Sequence, residues 1–208
     1  MSGSTRGALP TTPVPDAMPV LRRGRHRTPS QGACFMEYTA LLAGESFTDR
    51  PRCVDQELAA VLRGANDKLS DADRPLLVPL LGRAIGLAVE PPPPGPRGPG
   101  RAARRYRREV LTPYAERAAR LRREATRRFV ASLGRPSRLA GTAWSGCRGD
   151  LSQVFWDSML EPPVPATSPD YVHRLVGRLA LLHECYEQAV DDLAIRRPAP
   201  ATRGRVGA

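Results

Sequence analysis

Aromatic residues are scarce in this 208-residue chain: two Trp, five Tyr and four Phe. A core must therefore be built from aliphatic side chains, and a surface that stacks unpaired bases has little to draw on. Lysine is scarcer still, since Lys68 is the one lysine among 32 basic residues. Abundant Ala, Pro, Gly and Arg beside it suggest a GC-rich coding sequence, so part of the arginine content reflects codon usage on solvated faces. The four cysteines, Cys34, Cys53, Cys147 and Cys185, lack the spacing of a disulfide framework. No apolar run approaches the roughly 20 residues that span a bilayer, and the first 20 residues hold prolines but no secretory h-region. These absences lead us to expect reduced thiols, no membrane partner and a cytoplasmic location.

Catalytic signatures are missing as well. The sequence has no phosphate-binding P-loop, no dinucleotide fingerprint and no GxSxG elbow. No catalytic residue, cofactor or metal is assigned on that basis.

Proline and glycine are plentiful, together 40 of the 208 residues, and they cluster in 1–33, 90–100, 161–169 and 196–208. Elsewhere the apolar residues recur at helical spacing. The expected fold class is all-α, with disordered basic Pro/Gly-rich termini and linker. Residues 1–31 read as a disordered arm, 32–88 as a small α-helical module, 89–100 as a stiff exposed linker, 101–195 as a helical region and 196–208 as a disordered tail.

Within the module, Cys34, Phe35, Tyr38, Leu41 and Leu42 share a helix face that ends at Gly44. Asp55 caps a second helix whose buried stripe is Leu58, Val61, Leu62, Ala65 and Leu69. In the second half a stripe from Tyr106 through Val110, Tyr114, Ala118, Leu121 and Ala125 to Phe129 predicts a helix or a pair of helices, with Thr112-Pro113 as a restart or a kink. Residues 134–150 read as a Gly-rich loop and 151–160 as a short helix. Ser168-Pro169-Asp170 opens a last helix with a heptad seam of Val172, Leu175, Leu179, Leu182, Tyr186, Ala189 and Leu193. That seam must pack on another helix, either in this chain or in an oligomer.

Charge is unevenly placed: residues 91–150 carry a net +11, whereas 31–90 sum to −3. Arg101, Arg104, Arg105 and Arg108, followed by Arg120, Arg123, Arg127 and Arg128, form the candidate interaction face. Such a stripe suits an acidic protein partner or, as the alternative, the phosphates of a nucleic acid bound without sequence preference. No helix-turn-helix or zinc pattern accompanies it.

The stretch Gly32-Ala33-Cys34-Phe35-Met36-Glu37, then Leu42-Ala43-Gly44-Glu45, Phe47-Thr48-Asp49 with Pro51 and Cys53, and later Asn66-Asp67, resembles a family of proteins from high-GC bacteria that has no established activity. The similarity covers about residues 32–88. It implies a recurring helical module and says nothing of substrate; the Ala/Asp/Trp-rich repeats of several members are lacking here. Its motif residues Cys34, Glu37, Glu45, Asp49 and Cys53 also invite a chemical reading. A thiol at a helix N-terminus near His26 can be activated, and three carboxylates can converge for acid–base work. The commoner explanations are a packed, inert cysteine and carboxylates paired with arginines. The expected role is a non-enzymatic interaction or adaptor module, with nucleic-acid binding second and a thiol- or carboxylate-dependent enzyme third.

Overall fold

The computed structural model describes residues 18–134, 150–160, 162–166 and 168–194. The outer part of the expected arm, most of the Gly-rich loop with Cys147, and the expected tail lie outside the described residues. Among those described there is no strand; two isolated parallel bridges, Leu21 with Ala33 and Val54 with Leu87, are the only extended pairings. The helices are α1 (Phe35–Leu42), α2 (Gln56–Lys68), α3 (Val78–Leu81), α4 (Arg101–Tyr106), α5 (Thr112–Ser132), α6 (Leu151–Met159) and α7 (Pro169–Asp192).

Local chemistry sets their ends. The Cys34 sulfur accepts from the Glu37 backbone N–H while the Glu37 carboxylate accepts from that of Cys34, a capping box closed by a thiol in place of a hydroxyl. The Asp55 carboxylate accepts from the amides of Glu57 and Leu58 at the start of α2, and the Ser168 hydroxyl from Tyr171 at the start of α7. Gly44, at φ 71°, occupies the left-handed position that ends α1 cheaply only with glycine.

Between α4 and α5 the chain makes one π-helical turn, Arg107–Leu111. Pro113 explains it. Proline lacks the N–H that would bond the carbonyl four residues back, and its ring crowds that carbonyl. A wider turn relieves the crowding, and the Thr112 hydroxyl donates to the Arg107 carbonyl, 3.1 Å away.

The core is one cluster, not two. Leu58, Val61, Leu62 and Ala65 of α2, Leu121, Ala125 and Phe129 of α5, Phe155 of α6 and Leu175, Leu179 and Tyr186 of α7 belong to the same buried set. The expected division into a 32–88 module and a separate second half is therefore not how burial is organised, because α2 packs on α6 and α7 lies along α5. Ring contacts reinforce the junction, with Phe129 stacked on Phe155 at 5.9 Å and Phe155 edge-on to Trp156 at 5.0 Å. The α7 seam is spent here. Leu175, Leu179, Leu182, Tyr186 and Ala189 are buried inside the single chain, which removes the expected oligomer route through 172–193.

A second correction concerns residues 18–31, expected to be part of a disordered arm. Leu21 is buried, the Arg22 and Ala33 amides pair with the Ala33 and Val20 carbonyls, and the Asn66 side-chain amide donates to the Arg22 carbonyl at 2.9 Å. The Gly24 amide donates to the Asp67 carboxylate. Low hydrophobicity argues against order when a segment must pack alone, but this one borrows its partners from α1 and α2.

Candidate functional site

The eight predicted arginines are all helical, yet they do not act as one face. Arg105 and Arg108 both reach Glu109, at 2.8 and 3.1 Å. Arg127 and Arg128 clamp Glu124 at 2.7 and 2.8 Å, and Arg128 also meets Asp192 and Gln188 of α7. Arg128 thereby ties α5 to α7, and the two arginines together hold the Glu124 carboxyl down to about 2, chiefly through the hydrogen bond from Arg127. The other four, Arg101, Arg104, Arg120 and Arg123, are exposed and form no ion pair with any described residue. Arg107 and Arg117, not singled out from the sequence, are equally exposed and likewise form no ion pair with a described residue. None of the residues from Arg101 to Arg117 is fully buried, and among them Tyr114 packs partly buried against the edge of the core.

Beside these arginines runs a shallow groove of about 400 Å³, lined by Leu111, Thr112, Ala115, Glu116, Ala119 and Arg123. Upstream of it the Tyr106 hydroxyl donates to the Pro93 carbonyl. A Cβ added to Gly95 would lie 2.4 Å from the Tyr106 ring. The expected free-standing linker is thus fastened to the first turns of the basic helix.

The family-motif residues sit elsewhere. Glu37 is fully buried and accepts three donors: the His26 amide at 2.7 Å, His26 Nδ1 at 2.9 Å and the Cys34 amide at 2.8 Å. Cys34, His26 and Glu37 do come together, contrary to the expectation that His26 lies in a disordered arm. The thiol is not activated by this company, because burial first and the Glu37 charge in addition raise it to about 12. Cys53 is raised to about 12 too, by burial and then by Glu45.

The Glu45 carboxylate accepts from the Arg52 and Cys53 amides, each at 2.8 Å, and shapes the loop. Asp49 faces Arg25 at 3.7 Å and gives its carbonyl to Arg63. Glu37, Glu45 and Asp49 therefore have separate duties, and no group of three or more metal-ligating side chains occurs among the described residues.

Two further polar constellations involve α7. In one, Asp55 accepts from the Tyr186 hydroxyl at 3.2 Å and from Arg122 Nε at 3.1 Å, while Arg122 also pairs with Glu57 at 2.5 Å. Asp55 announced itself only as a helix cap, and its second duty joins residues too distant in sequence for spacing to reveal. In the other, His183 is buried on α7, its ring 6.4 Å from Phe35.

The His183 Nδ1 lies 2.7 Å from the Leu179 carbonyl, which can only accept, so Nδ1 carries the proton; Nε2 has no partner among the described residues. Burial lowers the imidazole to about 4 from 6.5, although the Leu179 carbonyl pulls the other way. Between those two values the unfolded chain binds more protons than the folded one. Stability is thus complete above pH 6.5 and falls as pH drops toward 4, by roughly 3 kcal/mol across the interval. His183→Leu should flatten the acid limb of a urea-midpoint profile between pH 4 and 6.5. An unchanged limb would assign the acid sensitivity to other groups.

No described helix is long and apolar enough to cross a membrane. Comparison with family models, with curated proteins and with solved structures finds no match for this chain.

Proposed function

We propose that the protein is a non-enzymatic, cytoplasmic interaction module that offers the projecting basic helix from Arg101 to Arg123 to an acidic protein partner. One observation carries the reading. A helical stretch with no fully buried residue between Arg101 and Arg117 displays Arg101, Arg104, Arg107 and Arg117 with no ion pair to any described residue. A helical stretch held to the rest of the chain mainly by Tyr106 against Pro93 and Gly95 and by Tyr114 at the edge of the core gains little from packing, and the guanidinium groups without ion-pair partners among the described residues supply long-range attraction and bidentate hydrogen bonding to carboxylates.

Thiols held near 12 at Cys34 and Cys53 contain little thiolate at neutral pH, which favours interaction over thiol chemistry. Protein is favoured over nucleic acid because Leu111, Ala115 and the carboxylate of Glu116 share the exposed face with Arg123. A phosphate track would be more uniformly basic.

The test is a titration of the full chain with a fluorescent polyglutamate peptide and, in parallel, with duplex DNA at rising salt. Arg101→Gln/Arg104→Gln/Arg107→Gln keeps good helix formers in place. It should weaken peptide binding about tenfold, as expected from three exposed charge contacts, with helical circular dichroism unchanged. Undiminished peptide binding would overturn the reading. Duplex DNA bound more tightly than the peptide, with a salt slope near −0.9 per contact, would replace it with the nucleic-acid alternative.

A further inference from the structure

The basic helix carries more than charge. The Arg107 carbonyl receives the Thr112 hydroxyl at 3.1 Å, so the π turn sets residue 107 above residue 112. From there Thr112, Glu116 and Arg120 follow at intervals of four. Leu111, Ala115, Ala119 and Arg123 form the neighbouring row, also four apart. Two such rows bound the groove, and i±4 rows are the ridges and grooves through which helices pack. Leu111 is an exposed large apolar side chain, while Ala115 and Ala119 keep the floor low enough for another backbone to approach.

Unpaired cations stand at both ends, Arg107 at one and Arg120 with Arg123 at the other. The one carboxylate, Glu116, lies between them. Arg107 and Arg120 are roughly 20 Å apart along the axis at about 1.5 Å per residue.

Resting on the interaction reading above, we propose that this groove is the seat for an amphipathic helix of the acidic partner. The partner's docking ridge has small or apolar residues four apart, a carboxylate at each end about four turns from the other, and no acidic residue opposite Glu116. Charge complementarity picks this occupant. Carboxylates at the two ends meet Arg107 and the Arg120/Arg123 pair, whereas a uniformly acidic helix would set like charge against Glu116.

Two helical peptides of identical composition test it against the full chain. One carries glutamates fourteen residues apart, about 21 Å and on one face of the helix at about 1.5 Å per residue, around an alanine–leucine ridge; the other has the same glutamates moved to the middle of the ridge. The first should bind about tenfold more tightly, and Ala115→Gln or Ala119→Gln, which fill the floor without breaking the helix, should abolish that preference. Equal binding of both peptides, with Ala115→Gln silent and Arg101→Gln/Arg104→Gln weakening both alike, would overturn the groove and leave the basic-helix reading intact. Failure of both peptides to bind would overturn both readings. A chain that dimerises through this face and becomes monomeric on Ala115→Gln would make a second copy the occupant and overturn the proposal.

Discussion

Leu62→Ala is expected to lower the free energy of unfolding by about 2–5 kcal/mol, because the side chain is wholly buried and the lost methyl groups leave a cavity that rigid neighbours fill only in part. Its position makes the upper half of that range the more fitting. Leu62 belongs to the face of α2 formed with Leu58, Val61 and Ala65, and α2 contacts α1 as well as α6. Collapse onto the cavity would have to move both.

The whole chain should feel the loss. With one core cluster spanning α1 to α7, thermal melting followed by circular dichroism at 222 nm should show a single transition displaced downward, by about 2–4 °C per kcal/mol for a protein of this size. A transition in which only part of the helical signal moves would restore the two-domain reading, and an unmoved midpoint would show that α2 buries another face.

Glu37→Ala should cost about 3–5 kcal/mol, by a different route. The carboxylate is fully buried and binds the amides of His26 and Cys34 and the His26 ring. Its removal strands the buried Cys34 amide and leaves the partly buried His26 amide and ring without their acceptor, and a stranded buried partner is costlier than a lost contact. It also destroys half of the capping box of α1.

Trypsin offers a local readout. Arg22, Arg23, Arg25 and Arg27 lie in the segment that Glu37 fastens to α1, and cleavage there should accelerate in the variant well before the helices melt. Glu37→Gln keeps the shape but replaces an acceptor oxygen with a donor amide, and should fall between the two. Native-like resistance of the Arg22–Arg27 segment in Glu37→Ala would show that the bridge to Ala33 suffices without the carboxylate.

Helices were legible in the sequence and their relations were not. The stripe Leu58, Val61, Leu62, Ala65 and the seam Leu175, Leu179, Leu182, Tyr186, Ala189 are buried as their spacing requires, because amphipathic period is a local property that a packed helix cannot evade. Asp55 and Ser168 cap where expected for the same reason. In the long helix the stripe held only downstream: Ala118, Leu121, Ala125 and Phe129 are buried, whereas Tyr106, Val110 and Tyr114 are not. Period says which side of a helix can be buried, and the reach of its partner decides how far along it is.

Residues 18–31 were misread because their order comes from Glu37, Asn66 and Asp67, supplied by other elements. The arginines were visible as a composition, but only the structure separates those paired with Glu109, Glu124 and Asp192 from those with no ion pair among the described residues.

Lys68, the only lysine, ends α2 with its ammonium 5.0 Å from the centre of the Trp156 ring on α6. Trp156 in turn leans on α2 where Gly64 leaves room, since a Cβ there would stand 2.9 Å from the indole. Enzymes and reagents that acylate, methylate or ubiquitinate lysine side chains have one address in this chain, and that address is the seam between α2 and α6. Acylation would erase the charge that the indole face attracts, so lysine chemistry, spread over many surface sites in most proteins, is here focused on a single helix contact.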